Sequence, residues 1–99
     1  MNAFDALGNP VRRTLLDALR EGPRSVGSLA ADLPVSRPAV SRHLKVLEAA
    51  GLIRHAEQGR KNLYALRIEG FSDVQTYLDD LWGDALSRFR LVAENLEQR

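Results

Sequence analysis

Arg37, Ser41, Arg42 and Lys45 recur at i, i+4, i+5 and i+8 within the stretch VSRPAVSRHLKVLEAAGLI, residues 35 to 53. At helical spacing they form one polar stripe of hydroxyls and cations that contains no acid. Val40, Leu44 and Leu47 keep the same spacing on the other side, where a core would sit. A helix divided in this way suits a polyanion. The major groove of B-DNA is about 12 Å wide and admits one α-helix, whose short donors reach base edges while cations meet phosphates. Ser36, Arg37, Ser41, Arg42 and Lys45 supply those groups, and Pro38 with Ala39 keeps the leading end slim. Arg37 and Arg42 each have the fork for a bidentate guanine contact, worth ~1–3 kcal/mol of discrimination. Residue type alone does not say which of them reads a base. Lys45, two turns deeper, suits a phosphate. Taken alone, such a stripe is most simply a solvated basic face, so the surrounding elements must decide.

Those elements are short and well punctuated. Ala3 to Leu7 reads as a brief helix carrying Phe4 and Leu7. Asn9-Pro10 opens the next, with Asn at the cap and Pro in the first turn, and Gly22-Pro23 ends it after Arg20. Ser25 caps a helix that buries Val26, Leu29, Ala30 and Leu33 and stops at Pro34. Ser36 then opens the helix that bears the cationic stripe, and Gly51 follows its end at Ala50. A short helix, a tight turn and a second helix with a polar outer face are the signature of a helix-turn-helix, spanning about residues 25–50.

The period then changes. LIRHAEQGRKNLYAL carries Ile53, Leu63, Tyr64 and Leu66 on two runs about EQGR, so residues 52–66 are predicted to form a β-hairpin. With Gln58-Gly59 as its loop, Ile53 pairs with Tyr64 on the inner face. Arg60 and Lys61 then stand near the tip, fitting a wing that lies on the DNA backbone or reaches into the minor groove. Hairpin tips are polar in any case.

After Gly70 the positions Phe71, Val74, Leu78, Leu81, Ala85, Phe89, Val92 and Leu96 recur every three or four residues, with Trp82 and Leu86 widening the stripe. Such a helix would run about 39 Å at 1.5 Å per residue. The preceding chain is too small to cover its seam, and a near-heptad stripe without cover asks for a second copy of itself. Phe4, Leu7, Phe71, Val74, Leu78, Leu81, Trp82, Ala85, Phe89 and Val92 are therefore the expected dimer contacts. Trp82 and Phe89 could also line an effector pocket, although aromatic packing within the seam is the plainer reading.

Composition agrees. With 99 residues, 44% hydrophobic and 27% charged, the chain is expected to form one globular domain, residues 1–99. The net charge of +1 hides a division: residues 1–35 are neutral, residues 36–67 carry seven cations against Glu48 and Glu57, and residues 68–99 are net acidic. A basic middle and an acidic tail favour a polyanionic partner. There is no cysteine, which removes disulfides and thiolate chemistry and suits the cytoplasm. MNAFDALGNPVRR lacks the pattern of a secretory signal, and no apolar run is long enough to span a membrane.

Together LGNPVRRTLLDAL, SVGSLAADLPVSRPAVSRHLKVLEAAGLI and GRKNLYAL resemble the ArsR/SmtB-like winged helix-turn-helix transcriptional regulators over essentially the whole chain. The resemblance implies a homodimer joined by first and last helices, with recognition helices in successive major grooves. It puts Ser41 and Arg42 at positions that touch bases or phosphates and Arg60 at the wing position. It also implies repression relieved by an inducer of unknown identity. Metal-sensing relatives carry a cysteine cluster at the recognition helix, or Asp/His pairs on the last helix, and this chain has neither. Asp79, Asp80 and Asp84 could offer only oxygen ligands and read as a solvated acidic face. His43 and His55 lie apart, without a carboxylate cluster. No metal or cofactor is expected, and the tail YLDDLWGDALSRFR looks like that of a metal-free branch.

The expectation is thus a mainly α protein with a small β-hairpin: a winged helix-turn-helix with a long C-terminal dimerisation helix, binding double-stranded DNA. No nucleophile–base pair or phosphate loop suggests an enzyme. A winged helix that binds only protein is the alternative, and the basic middle segment weighs against it. An acidic last helix is ill suited to an anionic membrane.

Overall fold

The computed structural model describes residues 1–97, so Gln98 and Arg99 lie outside it, as does the side chain of Glu97. Among the described residues five α-helices and a small sheet are arranged in the order α1 (Ala3–Leu7), α2 (Pro10–Ala18), β1 (Arg24–Ser25), α3 (Val26–Asp32), α4 (Arg37–Ala49), β2 (Ile53–Gln58), β3 (Lys61–Leu66) and α5 (Ser72–Glu97), with 3-10 turns at Leu19–Glu21 and Ile68–Phe71.

The helix starts are where the capping residues place them. Asn9 accepts from the backbone N–H groups of Val11 and Arg12, at 2.9 and 3.2 Å. Ser25 accepts from Ser28 and Ser36 from Ala39. Each cap satisfies a donor that the first helical turn leaves free. Helix α1 has only five residues and could not stand alone. Two arginines from α2 hold its C-terminal end: Arg12 donates to the carbonyls of Asp5 and Ala6, and Arg13 to that of Leu7 at 2.6 Å. Cations there also complement the negative end of the helix.

Helix α4 ends in a Schellman motif. Gly51 takes φ +79, its N–H bonds to the carbonyl of Glu48, and the N–H of Leu52 bonds to that of Leu47. This turn delivers Leu52 and Ile53, both buried, straight into the core. The core is otherwise Ala3, Ala6, Leu15, Leu16, Leu19, Leu29, Val40, Leu44 and Leu47, and no polar side chain is buried with them among the described residues. Leu44 has no exposure at all and sits mid-way along α4. Leu44→Ala should cost about 2–5 kcal/mol, a large share of the ~5–15 kcal/mol available to a small domain. Chemical denaturation is expected to show the midpoint falling accordingly.

The hairpin register differs from the expected one. Ile53 pairs with Leu66, His55 with Tyr64 and Gln58 with Lys61, so the two-residue loop is Gly59-Arg60 rather than Gln58-Gly59. Gly59 takes φ +64 and among the described residues no non-glycine has positive φ, so only the first loop position is left-handed. That is the pattern of a type II′ turn with glycine leading, which removes the need for glutamine to adopt an unfavourable backbone angle. A third strand accompanies the hairpin. Arg24 and Ser25 pair antiparallel with Tyr64 and Leu63, giving the order β1-β3-β2.

Helix α5 begins where two backbones touch. A Cβ at Gly70 would lie 1.8 Å from the carbonyl oxygen of Gly51, so only glycine fits there. From that point the helix leaves the body of the molecule, whose extents are 69 × 26 × 24 Å. Phe71 and Val74 pack on the chain's own core, as does Leu7. Beyond them Leu78, Leu81, Trp82, Ala85, Phe89 and Val92 are exposed, Trp82 at 64% and Phe89 at 73%. Phe4 meets Tyr77 edge to face, with ring centroids 5.6 Å apart. Among the described residues no helix is long and apolar enough to cross a membrane.

Candidate nucleic-acid interface

The positive charges of the first 67 residues fall into two groups. One is spent on the fold. Arg12 and Arg13 hold α1, Arg24 bonds Ser28 and Asp32, Arg20 lies 3.8 Å from Asp17, and Arg67 reaches Glu69 and the carbonyl of Gly51. The other group is Arg37, Arg42, Lys45, Arg54, Arg60 and Lys61. All are exposed, and none has a hydrogen bond or ion pair to protein among the described residues. Five of these six lie on α4 or at the tip of the hairpin.

Helix α4 presents them because its apolar face is fully engaged. With Val40, Leu44 and Leu47 buried, Ser36, Arg37, Pro38, Arg42 and Lys45 remain exposed and Ser41 half-buried. Arg60 occupies the hairpin loop and Lys61 begins β3, so both stand at the tip. A cleft of about 510 Å3 joins the two regions, lined by Arg37, Arg60 and Lys61 together with Ser25, Val26, Gly27, Ser28 and Asn62. No carboxylate lines it.

Glu48 is one of two acids in the basic middle segment, and it is withdrawn from the cationic surface. Its Oε2 lies 2.6 Å from Nδ1 of His55, and the His55 ring leans on Tyr64 with centroids 5.4 Å apart. His55 therefore ties the last turns of α4 to the wing. Residue type carried no sign of this contact, because it depends on how the turn at Gly51 folds β2 back beside α4. Burial and the nearby charge of Glu48 raise the pKa of Tyr64. His43 sits half-buried at the edge of α4. Burial, with Arg12 and Arg42 close by, holds its pKa below the ordinary histidine value, so it is neutral at pH 7 and adds nothing to the surface charge.

A separate groove of about 530 Å3 is lined by Leu7, Arg13, Leu16, Asp17, Arg20, Leu66, Ile68 and Phe71. Trp82 and Phe89 do not contribute to it. Asp79 accepts a hydrogen bond from Gln75, and among the described residues no group of three His, Asp or Glu side chains is disposed to hold a metal.

Comparison with known proteins adds to this geometry. A model of the family described as "Bacterial regulatory protein, arsR family" matches residues 9–55. The chain is 45% identical over 93 residues to the HTH-type transcriptional regulator Rv2034 of Mycobacterium tuberculosis, an overlap of 94% of this chain and 87% of that one. It is 33% identical over 72 residues to the transcriptional repressor SdpR of Bacillus subtilis, covering 73% and 80%. Among solved structures, a possible transcriptional regulator for arsenical resistance matches with a TM-score of 0.77 and 37% identity, covering 95% and 96%. The homodimeric winged helix-turn-helix DNA-binding domain of Mb0332 from Mycobacterium bovis matches with a TM-score of 0.64 and 28% identity, covering 77% and 74%.

Proposed function

Because this chain belongs to the ArsR family of bacterial regulatory proteins, we propose that it represses transcription as a homodimer on an inverted-repeat operator. Each copy lays α4 in a major groove and rests its wing on the backbone or in the adjoining minor groove. The observation that carries this reading is the sorting of charge in the first 67 residues: Arg12, Arg13, Arg20, Arg24 and Arg67 are engaged by the fold, and five of the six cations left without partners among the described residues stand on α4 or at the hairpin tip. Unpaired cations on one surface repel each other, and a polyanion relieves that repulsion while its condensed counterions are released.

Ser41, Arg42 and Lys45 face the groove in this arrangement, and Arg60 and Lys61 serve the wing. The paired surface is the exposed seam of α5 together with Phe4. Two copies joined there present their reading helices about one turn, ~34–36 Å, apart, which is the spacing an inverted repeat requires. The relatives are transcriptional regulators, and a cytoplasmic location beside the operator accords with that role.

Selection of bound duplexes from a random pool at stated salt tests the whole reading. The expected product is a palindromic consensus with half-sites one helical turn apart, and equal recovery of unrelated sequences would overturn it. Lys45→Ala separates affinity from specificity. It should weaken every duplex by a similar factor and flatten the dependence of log K on log salt by about 0.9 per half-site. Titrations at several salt concentrations supply the check.

A further inference from the structure

Arg37 and Arg42 are alike in type and both exposed, yet α4 does not present them alike. Five residues at about 100° each set them roughly 140° apart around the helix axis. The buried stripe of Val40, Leu44 and Leu47 defines the inward direction. Measured from it, Arg42 projects almost straight outward, whereas Arg37 lies at the margin next to the core, about 50° from its centre. Its side chain follows that direction. The guanidinium packs against α3, with Cζ and both terminal nitrogens 3.7–3.8 Å from the place a Cβ would take on Gly27. There it lines the cleft shared with Arg60, Lys61, Asn62 and Ser28.

Resting on the proposed DNA-binding role, we infer that this cleft seats one phosphodiester group of the bound duplex, and that Arg37 holds it instead of reading a base. Three cations from two separate elements converge on one concavity with no acid in its lining. None of the three has an ion-pair partner among the described residues. Their mutual repulsion is relieved by a single anionic group placed between them, which a planar guanidinium grips through two N–H donors. Asn62 and Ser28 add neutral donors suited to phosphate oxygens. The Ser28 hydroxyl already accepts from Nε of Arg24 at 2.9 Å, which leaves its proton free to point elsewhere. Gly27 has a part in this. With no side chain at that position, the guanidinium lies flat on α3 and is held away from the groove floor, where Arg42 remains the only arginine of α4. The wing and the recognition helix are then registered on the same backbone strand by one shared group.

The experiment compares the wild type, Arg37→Ala, Arg42→Ala, Arg60→Ala, the Arg37→Ala/Arg60→Ala pair and Gly27→Asp on a panel of single-base operator variants over a range of salt. Arg37→Ala should weaken every duplex by the same factor, about fivefold per half-site at near-physiological salt, with a salt slope shallower by about 0.9 per half-site and an unchanged rank order of bases. The Arg37→Ala/Arg60→Ala pair should lose less than the product of the single losses, because both residues hold one group. Gly27→Asp sets a carboxylate against the guanidinium and should reproduce the Arg37→Ala behaviour, and an acid in the first turn of α3 is compatible with folding. Circular dichroism checks that each variant is folded. If Arg37→Ala instead scrambles base preference at one position, Arg37 reads that base and the inference is wrong. It is equally wrong if the slope does not change, or if the two arginine losses simply multiply. Failure of the wild type to bind any duplex would instead remove the DNA-binding role itself.

Discussion

Leu81→Asp is expected to turn the dimer into monomers and to lower affinity for the full operator by about two to four orders of magnitude. Leu81 is exposed in the single chain, in the part of α5 that projects from the body. A carboxylate there disturbs no core contact, and its cost to the isolated helix is only about half a kcal/mol of propensity. In the proposed paired seam, however, two copies of the charge would be buried against Leu78, Trp82 and their counterparts without a partner, a penalty of several kcal/mol. Once pairing is lost, the second half-site is no longer held at high effective concentration, and each reading helix must bind alone. Sedimentation should give the monomer mass, with circular dichroism showing the helices retained. If the variant still sediments as a dimer, α5 is not the joint.

Arg42→Ala should have the second-largest effect, and an effect of a different kind. Arg42 projects directly away from Val40, Leu44 and Leu47 and has no partner of its own among the described residues. A bidentate contact with guanine is worth ~1–3 kcal/mol per half-site, so affinity for the preferred operator should fall at least several-fold for each half-site. Unrelated duplexes, held mainly through phosphates, should lose far less. Competition among operators altered one base pair at a time measures this directly. The wild type should discriminate at one position in each half-site, and the variant should not. A uniform loss across all duplexes would place Arg42 on the backbone.

Much of this arrangement is visible in the order of residue types. Asn9, Ser25 and Ser36 name the helix starts because side-chain capping is local chemistry, and Gly51 names the end of α4 for the same reason. The buried face of α4 follows from its period. What could not be read depends on tertiary contact. Strand β1 is two residues long, too short to carry any periodicity, and exists only because β3 offers it an edge. The hairpin slipped by two residues because one left-handed glycine suffices for its loop, and that slip set His55 opposite Tyr64. A slip of two keeps side-chain alternation intact, so the hydrophobic pattern could not detect it. Arg12, Arg13 and Arg24 look as available for DNA as Arg37 and Arg42 until their carbonyl and carboxylate partners appear.

The contact between Gly70 and Gly51 has a mechanical consequence. The end of the reading helix and the root of the projecting rod meet backbone to backbone, with no side chain between them to act as a cushion. A pair of such subunits resembles calipers whose jaws are fixed to the beam. The gap between the jaws is then set before DNA arrives, so little ordering entropy is lost when both close on an operator. Any twist of one beam against the other would move the jaw tips in proportion to their distance from it.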